Sequence, residues 1–176
     1  MTPEEKARQK IDRMFTDAGW DVIDREEYSA GMTAVAIREG LLKGNKEADY
    51  FLFLNGKAVG VLEAKREEVD VTDQCVCEQA EDYARSVPPC YPAISNPLPI
   101  VMTSNGRELY MHDMRKPESS YDSLAKMPSP KKFVGMLGIG DPFAGLPSVP
   151  KKGLRECQFE AITNLEASFR IGLKKL

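Results

Sequence analysis

The sequence predicts an α/β sandwich around a mixed β-sheet, and three observations predict it. An amphipathic helix opens the chain, and two apolar runs then flank an Asn-Gly turn in 49-DYFLFLNGKAVGVLEAK-65. A second helical pattern follows and leads into another apolar run, 99-PIVMTS-104. Strand, hairpin, helix and strand in that order suit two layers of helix on one sheet.

The elements follow in turn. Thr2-Pro3-Glu4-Glu5 is a helix start: Thr2 caps, Pro3 fits the first helical position, and Glu5 sits where a capping box needs it. Ala7, Ile11, Met14, Phe15 and Ala18 keep helical spacing, and Gly19 offers a stop. Trp20 to Ile23 is a short apolar entry into the body, and residues 33–39 read as a strand ending on Glu39. After the hairpin, residues 70–87 read as a helix with Val76, Ala80, Tyr83, Ala84 and Val87 along one side, ended by Pro88-Pro89. The run 99–104 is a buried strand closed by Asn105-Gly106, and Leu109 to Met114 is a shorter one. From 116 to 153 the chain is rich in Pro, Gly, Ser and Lys. It reads as linker, with Phe133 to Leu137 as a short docking piece. From Leu154 a new amphipathic helix begins, so the expected layout is 1–115 for the main domain, 116–153 for the linker and 154–176 for the last helix.

Composition narrows the function classes. The chain has 176 residues, 42% hydrophobic and 29% charged, which suits one globular domain with a real core. A formal charge of −3 argues against holding nucleic acid by bulk electrostatics, so any such role needs a local site or partner subunits. No apolar run is long enough to span a bilayer, and MTPEEKARQK lacks the apolar core of a signal peptide. Cys75, Cys77, Cys90 and Cys157 match neither a zinc spacing nor a compact disulfide framework. Free thiols in a reducing, cytoplasmic compartment are the expected state.

The hairpin poses the functional question. Asp49 stands at its entrance, and Glu63 and Lys65 stand at its exit. If Asn55-Gly56 is a two-residue turn, Phe53 pairs with Ala58 and Asp49 faces away from Glu63. If Leu54-Asn55-Gly56 is a three-residue loop with Gly56 in the left-handed bulge position, Phe53 pairs with Lys57. Asp49 then shares a face with Glu63 and Lys65. Turn chemistry permits both. Only the second gathers the charges.

Gathered, they form a hard-oxygen site. Mg²⁺ takes one or two carboxylates, several waters and a substrate's phosphate oxygens. It polarises the phosphate and lowers the pKa of its water. Lys65 would orient or deprotonate that water, or stabilise charge on the transition state. The blander reading of Glu-x-Lys at a strand end is an exposed ion pair worth less than about 1 kcal/mol.

Asp49, followed after a hairpin by Glu63-Ala64-Lys65, resembles the metal-binding signature of the PD-(D/E)xK nuclease superfamily. More narrowly, the chain resembles the N-terminal nuclease domain of the restriction (R) subunit of type I restriction–modification enzymes. That subfamily carries Gln-x-x-x-Tyr after the lysine, and here Gln79 and Tyr83 fit. Ala18-Gly19-Trp20, Ala48-Asp49-Tyr50, Glu63-Ala64-Lys65-Arg66 and Ser104-Asn105-Gly106 fit its wording too. The resemblance spans roughly residues 3–113 and resumes near 154. It departs at Ala48, where the superfamily's name-giving proline would stand.

The resemblance implies a restriction-endonuclease-like sandwich and Mg²⁺-dependent endonucleolytic cleavage of duplex DNA, with Mn²⁺ as a substitute. It implies Asp49 and Glu63 as side-chain metal ligands, the Ala64 carbonyl as a further ligand, and Lys65 as the group handling the attacking water. Gln79 and Tyr83 would support DNA or the catalytic groups. Superfamily members often add an acid from the first helix or strand, which makes Glu5 and Glu39 candidates. Methyltransferase and specificity subunits are the implied partners. Leu154-Arg155-x-x-Gln158-x-x-Ala161 resembles the motif before the phosphate-binding loop of superfamily 2 helicases, where the glutamine reads adenine. ATP is therefore expected only in a longer protein, with Gln158 and Arg155 at its site and cleavage following ATP-driven translocation. The rivals are a helicase-linked repair or recombination nuclease, and a non-catalytic docking module of the same fold.

Other features carry less. His112 is expected to be structural or exposed. Gly138-x-Gly140 lacks the strand-to-helix setting of a nucleotide loop. The pairs Lys131-Lys132, Lys151-Lys152 and Lys174-Lys175 read as solvated surface.

Overall fold

The computed structural model describes residues 2–29, 31–116, 118–139 and 151–170. Residues 140–150 of the expected linker, Gly140 included, lie outside it, as do Lys174-Lys175 and the side chains of 166–170, Phe169 among them.

Helix α1 spans Pro3–Asp17, and its capping box forms as expected: Glu5 N donates to Thr2 Oγ1 at 3.2 Å, and Thr2 N donates to Glu5 Oε2 at 2.6 Å. Its buried stripe is Ala7, Ile11 and Phe15. The strands are β1 (Asp21–Ile23), β2 (Ala34–Leu41), β3 (Glu47–Leu54), β4 (Lys57–Ala64), β5 (Ile100–Ser104), β6 (Leu109–Asp113) and β7 (Asp122–Ser123). They form one sheet in chain order. The β1–β2 and β4–β5 pairs are parallel and the other pairs antiparallel, so the sheet is mixed.

Helix α2 (Gln74–Arg85) fills the crossover between β4 and β5. It starts four residues later than its apolar spacing suggests. Asp70 Oδ1 first accepts Thr72 N–H at 2.8 Å in a local turn, and Asp73 then caps the helix by accepting Cys75 N–H at 2.8 Å. Side chains short enough to bond their own backbone compete with helix at both positions.

Strand alternation gives each face a helix. Val35, Ile37, Phe51, Phe53, Val61 and Val101 pack with Ala80, Ala84 and Val87 of the α2 region. Tyr50, of opposite parity to Phe51, meets Phe15 of α1 at 5.1 Å between ring centroids.

The first compact unit runs to Leu137, beyond the expected boundary at 115. Helix α3 (Pro130–Leu137) lies in what reads as linker. Trp20 explains this. Its Nε1 donates to Pro128 O at 2.9 Å, and its ring meets the fully buried Phe133 edge-on at 5.2 Å. One aromatic anchor orders a Pro-rich stretch whose own periodicity is weak.

The second unit begins at Gly138, and within it α4 spans Glu156–Arg170. Gln158 Oε1 accepts Arg155 N–H at 3.0 Å, so this glutamine serves as the reaching arm of a helix cap.

Candidate metal and phosphodiester site

The β3–β4 hairpin resolves its register by a route that neither turn geometry alone describes. Asn55 and Gly56 both have positive φ, 51° and 74°, so the connection is a two-residue turn with Leu54 opposite Lys57 and Phe53 opposite Ala58. By itself that register sends Asp49 away from Glu63. One step further along, Leu52 pairs with Gly60, which leaves Val59 as an extra residue in β4. The expected bulge therefore exists, but in the strand rather than in the loop. Beyond it Phe51 faces Val61 and Tyr50 faces Leu62, and continuing that register sets Asp49 directly across from Glu63. Gly60 is needed beside the bulge, because a Cβ there would lie 2.6 Å from Ile100 O of β5.

Three strand ends thus meet. Asp49 is the third residue of β3, Glu63 is the last but one of β4, and Thr103, the parallel partner of Glu63, is the last but one of β5. Asp49 Oδ2 accepts Ala64 N–H at 2.8 Å. Lys65 Nζ donates to Glu63 Oε1 at 2.6 Å and to Gln79 Oε1 at 3.0 Å. Gln79 Nε2 in turn donates to Tyr83 Oη at 2.8 Å, as positions one helical turn apart allow. Asp49, Glu63, Lys65, Gln79 and Tyr83 are therefore one connected constellation, and Tyr83 also packs on the core.

Electrostatics mark the site as crowded. Glu63 is only 3% exposed. Burial, then the charge of Asp49, pushes its carboxyl up to about 7, and the bond and charge of Lys65 offset only part of this. The Asp49 charge and the loss of water thus outweigh what the single ammonium of Lys65 returns to Glu63.

Among the described residues, no group of three or more His, Cys, Asp or Glu side chains could hold a metal ion. The donor set is then two carboxylates and whatever backbone and water supply. That set fits Mg²⁺, which keeps several waters, and fits poorly the metals that need an all-protein cage.

Glu39, a candidate ligand, does not join that pair. Its side chain is 61% exposed and accepts from Arg8 Nη1 at 3.0 Å. Glu5 is committed to the helix cap. Arg8 is the group missed in the sequence: its Nη2 donates to Asp49 Oδ1, bridging Asp49 and Glu39. Arg8, Glu4, Ala64 and Lys65 line a cleft of about 30 Å³ beside the carboxylates. The sequence separation of 41 residues between Arg8 and Asp49 hides the pair from any local pattern.

His112 is buried and stacks on Tyr121 at 5.1 Å, a structural role. All four cysteines are free. No helix of the described residues is long and apolar enough to cross a membrane.

Comparison with known proteins bears on the family and on the fold. Residues 25–96, which hold every member of the constellation, match the family model "Type I restriction enzyme EcoKI endonuclease subunit second domain". None of the curated proteins matches significantly. Among solved structures, the chain is similar to a fragment described as that of an HsdR subunit of a type I restriction enzyme from Vibrio vulnificus YJ016, with TM-score 0.51 and 23% identity. The match covers 98% of this chain and 33% of that one, so the chain spans about a third of the length of that structure. The mixed sheet with flanking helices matches that part of the fragment. The family match agrees with the resemblance to the R subunit of type I restriction enzymes, and the solved structure agrees with the fold.

Proposed function

We propose that this chain is the nuclease region of the R subunit of a type I restriction–modification enzyme, and that it hydrolyses phosphodiester bonds of duplex DNA with Mg²⁺. One observation carries the reading: Asp49 and Glu63 sit across from each other at adjoining strand ends, with Lys65 tethered to Glu63 and Gln79. Asp49 and Glu63 would hold the cation, with the Ala64 backbone carbonyl as a further ligand. When bound, Mg²⁺ would polarise the phosphate and supply a more acidic water.

The chain's own groups do the rest. Lys65 is held at one edge by Glu63 and at another by Gln79, so its ammonium is aimed without a search through its rotamers. From there it orients the attacking water or stabilises charge growing on the phosphate oxygens. Tyr83 fixes the Gln79 amide, and through it Lys65.

Methyltransferase and specificity subunits, and an ATP-driven motor that translocates DNA before cleavage, belong to the same proposal. A net charge of −3 supports that division of labour, since the chain alone offers little general attraction for DNA. The test is DNA cleavage by the assembled full-length enzyme carrying Lys65→Ala. Losing a general acid–base or charge-stabilising group should lower the rate by about 10²–10⁴-fold with assembly intact. Cleavage equal to wild type would favour the docking-module alternative.

A further inference from the structure

We infer that Arg8 is a positioning residue for the cation site: it holds the Asp49 carboxylate in the orientation that faces Glu63, and Glu39 anchors Arg8. This rests on the proposed function for the word cation, but not for the positioning itself.

The Asp49 carboxylate is fixed by two donors from different elements. Ala64 N–H of β4 takes Oδ2, and the Arg8 guanidinium of α1 takes Oδ1. Each oxygen keeps a second lone pair, so these bonds orient the group without exhausting it. Arg8 is itself pinned twice. Its side chain reaches Glu39, and its backbone oxygen lies 3.2 Å from the Tyr50 hydroxyl as the longer arm of a bond shared with Asp12 Oδ1. Asp49 and Tyr50 are consecutive residues of β3 on opposite faces. One holds the Arg8 side chain and the other its main chain. The shorter arm of that shared bond, 2.8 Å to Asp12 Oδ1, fastens the next turn of α1.

Glu39 has the unusual φ of +49° in a strand, at the position facing Asp49 between the Arg38–Tyr50 and Gly40–Ala48 pairs. A left-handed non-glycine residue is strained and persists only when its surroundings hold it. Here the fork of Arg8 holds it. Bridging two carboxylates needs the planar spread of a guanidinium, which an ammonium lacks.

Hydrogen-bond partners of metal ligands typically contribute about 10–100-fold to metal affinity. In the 176-residue chain, Arg8→Ala and Arg8→Lys should therefore each weaken Mn²⁺ binding at least about tenfold, read by calorimetric titration. Lysine should fail to rescue. A second reading does not depend on any cation: the Ala64 amide NMR resonance should shift and its hydrogen exchange should accelerate, because its acceptor Asp49 is released. Thermal melting of each variant verifies the fold, and the lysine variant serves if the alanine variant does not fold. An unchanged Ala64 amide in a folded variant would overturn the proposal. So would Mn²⁺ binding equal to or tighter than wild type, which would make Arg8 a bystander or a competitor. If wild type binds no Mn²⁺ yet the Ala64 amide responds, positioning stands and the metal reading fails.

Discussion

The two ends of the β3–β4 hairpin use the same pairing for opposite purposes. At the turn end, Phe53 and Phe51 pack against each other at 4.7 Å and against Tyr28 and Tyr91. At the open end, the same two strands set Asp49 against Glu63 in a partly buried space. Burial stabilises the first end and strains the second. The extra Val59 between them changes the register, so the turn can keep its preferred geometry while the charges keep theirs. A strand pair can thus carry a site that its own stability opposes, provided the apolar end dominates.

Breaking the apolar end should have the larger effect. Phe53→Ala empties a fully buried position in the aromatic cluster and should lower unfolding free energy by about 3–5 kcal/mol, measured by urea denaturation. Mn²⁺ affinity of the folded protein should stay within about twofold, since any register-keeping contact survives beyond the bulge. A large loss of affinity would mean the ends are not separable.

Substitution at the charged end should act in the opposite sense. The folded Glu63 carboxyl is raised from 4.5 to about 7, so between those values the folded state binds the extra proton. Its contribution is fully present below about pH 4.5 and is lost as pH rises through 7, by up to about 1.4 kcal/mol per pH unit. Glu63→Gln removes that loss. Without divalent cations, the variant should gain stability relative to wild type at pH 8 compared with pH 5. With Mn²⁺ at pH 8, only wild type should gain, because ligand binding stabilises the form that binds it. A variant whose relative stability is independent of pH would contradict the crowding of the two acids.

The legible and illegible parts separate by sequence distance. Asp49, Glu63 and Lys65 were readable because they belong to one hairpin, and Gln79 and Tyr83 because they stand one helical turn apart. The bulge was not: Val59 has the composition of any strand residue, and the demand for an extra residue arises only when both ends of the hairpin must be satisfied. Arg8 was not readable because its partners lie 31 and 41 residues away. Glu39 lies within β2 rather than at its end, since the strand runs on to Leu41, and its contact with the site passes through that hidden arginine. The continuation of the first unit to Leu137 rests on Trp20 finding Phe133: the docking piece at Phe133 to Leu137 is legible in the sequence, but its partner is not.

The central claim is that Asp49 and Glu63 grip one divalent cation. Anomalous diffraction from a crystal soaked in Mn²⁺ tests it most directly. A peak bonded to both carboxylates is the predicted result; a peak elsewhere, or none at these residues at pH 8, would contradict the account.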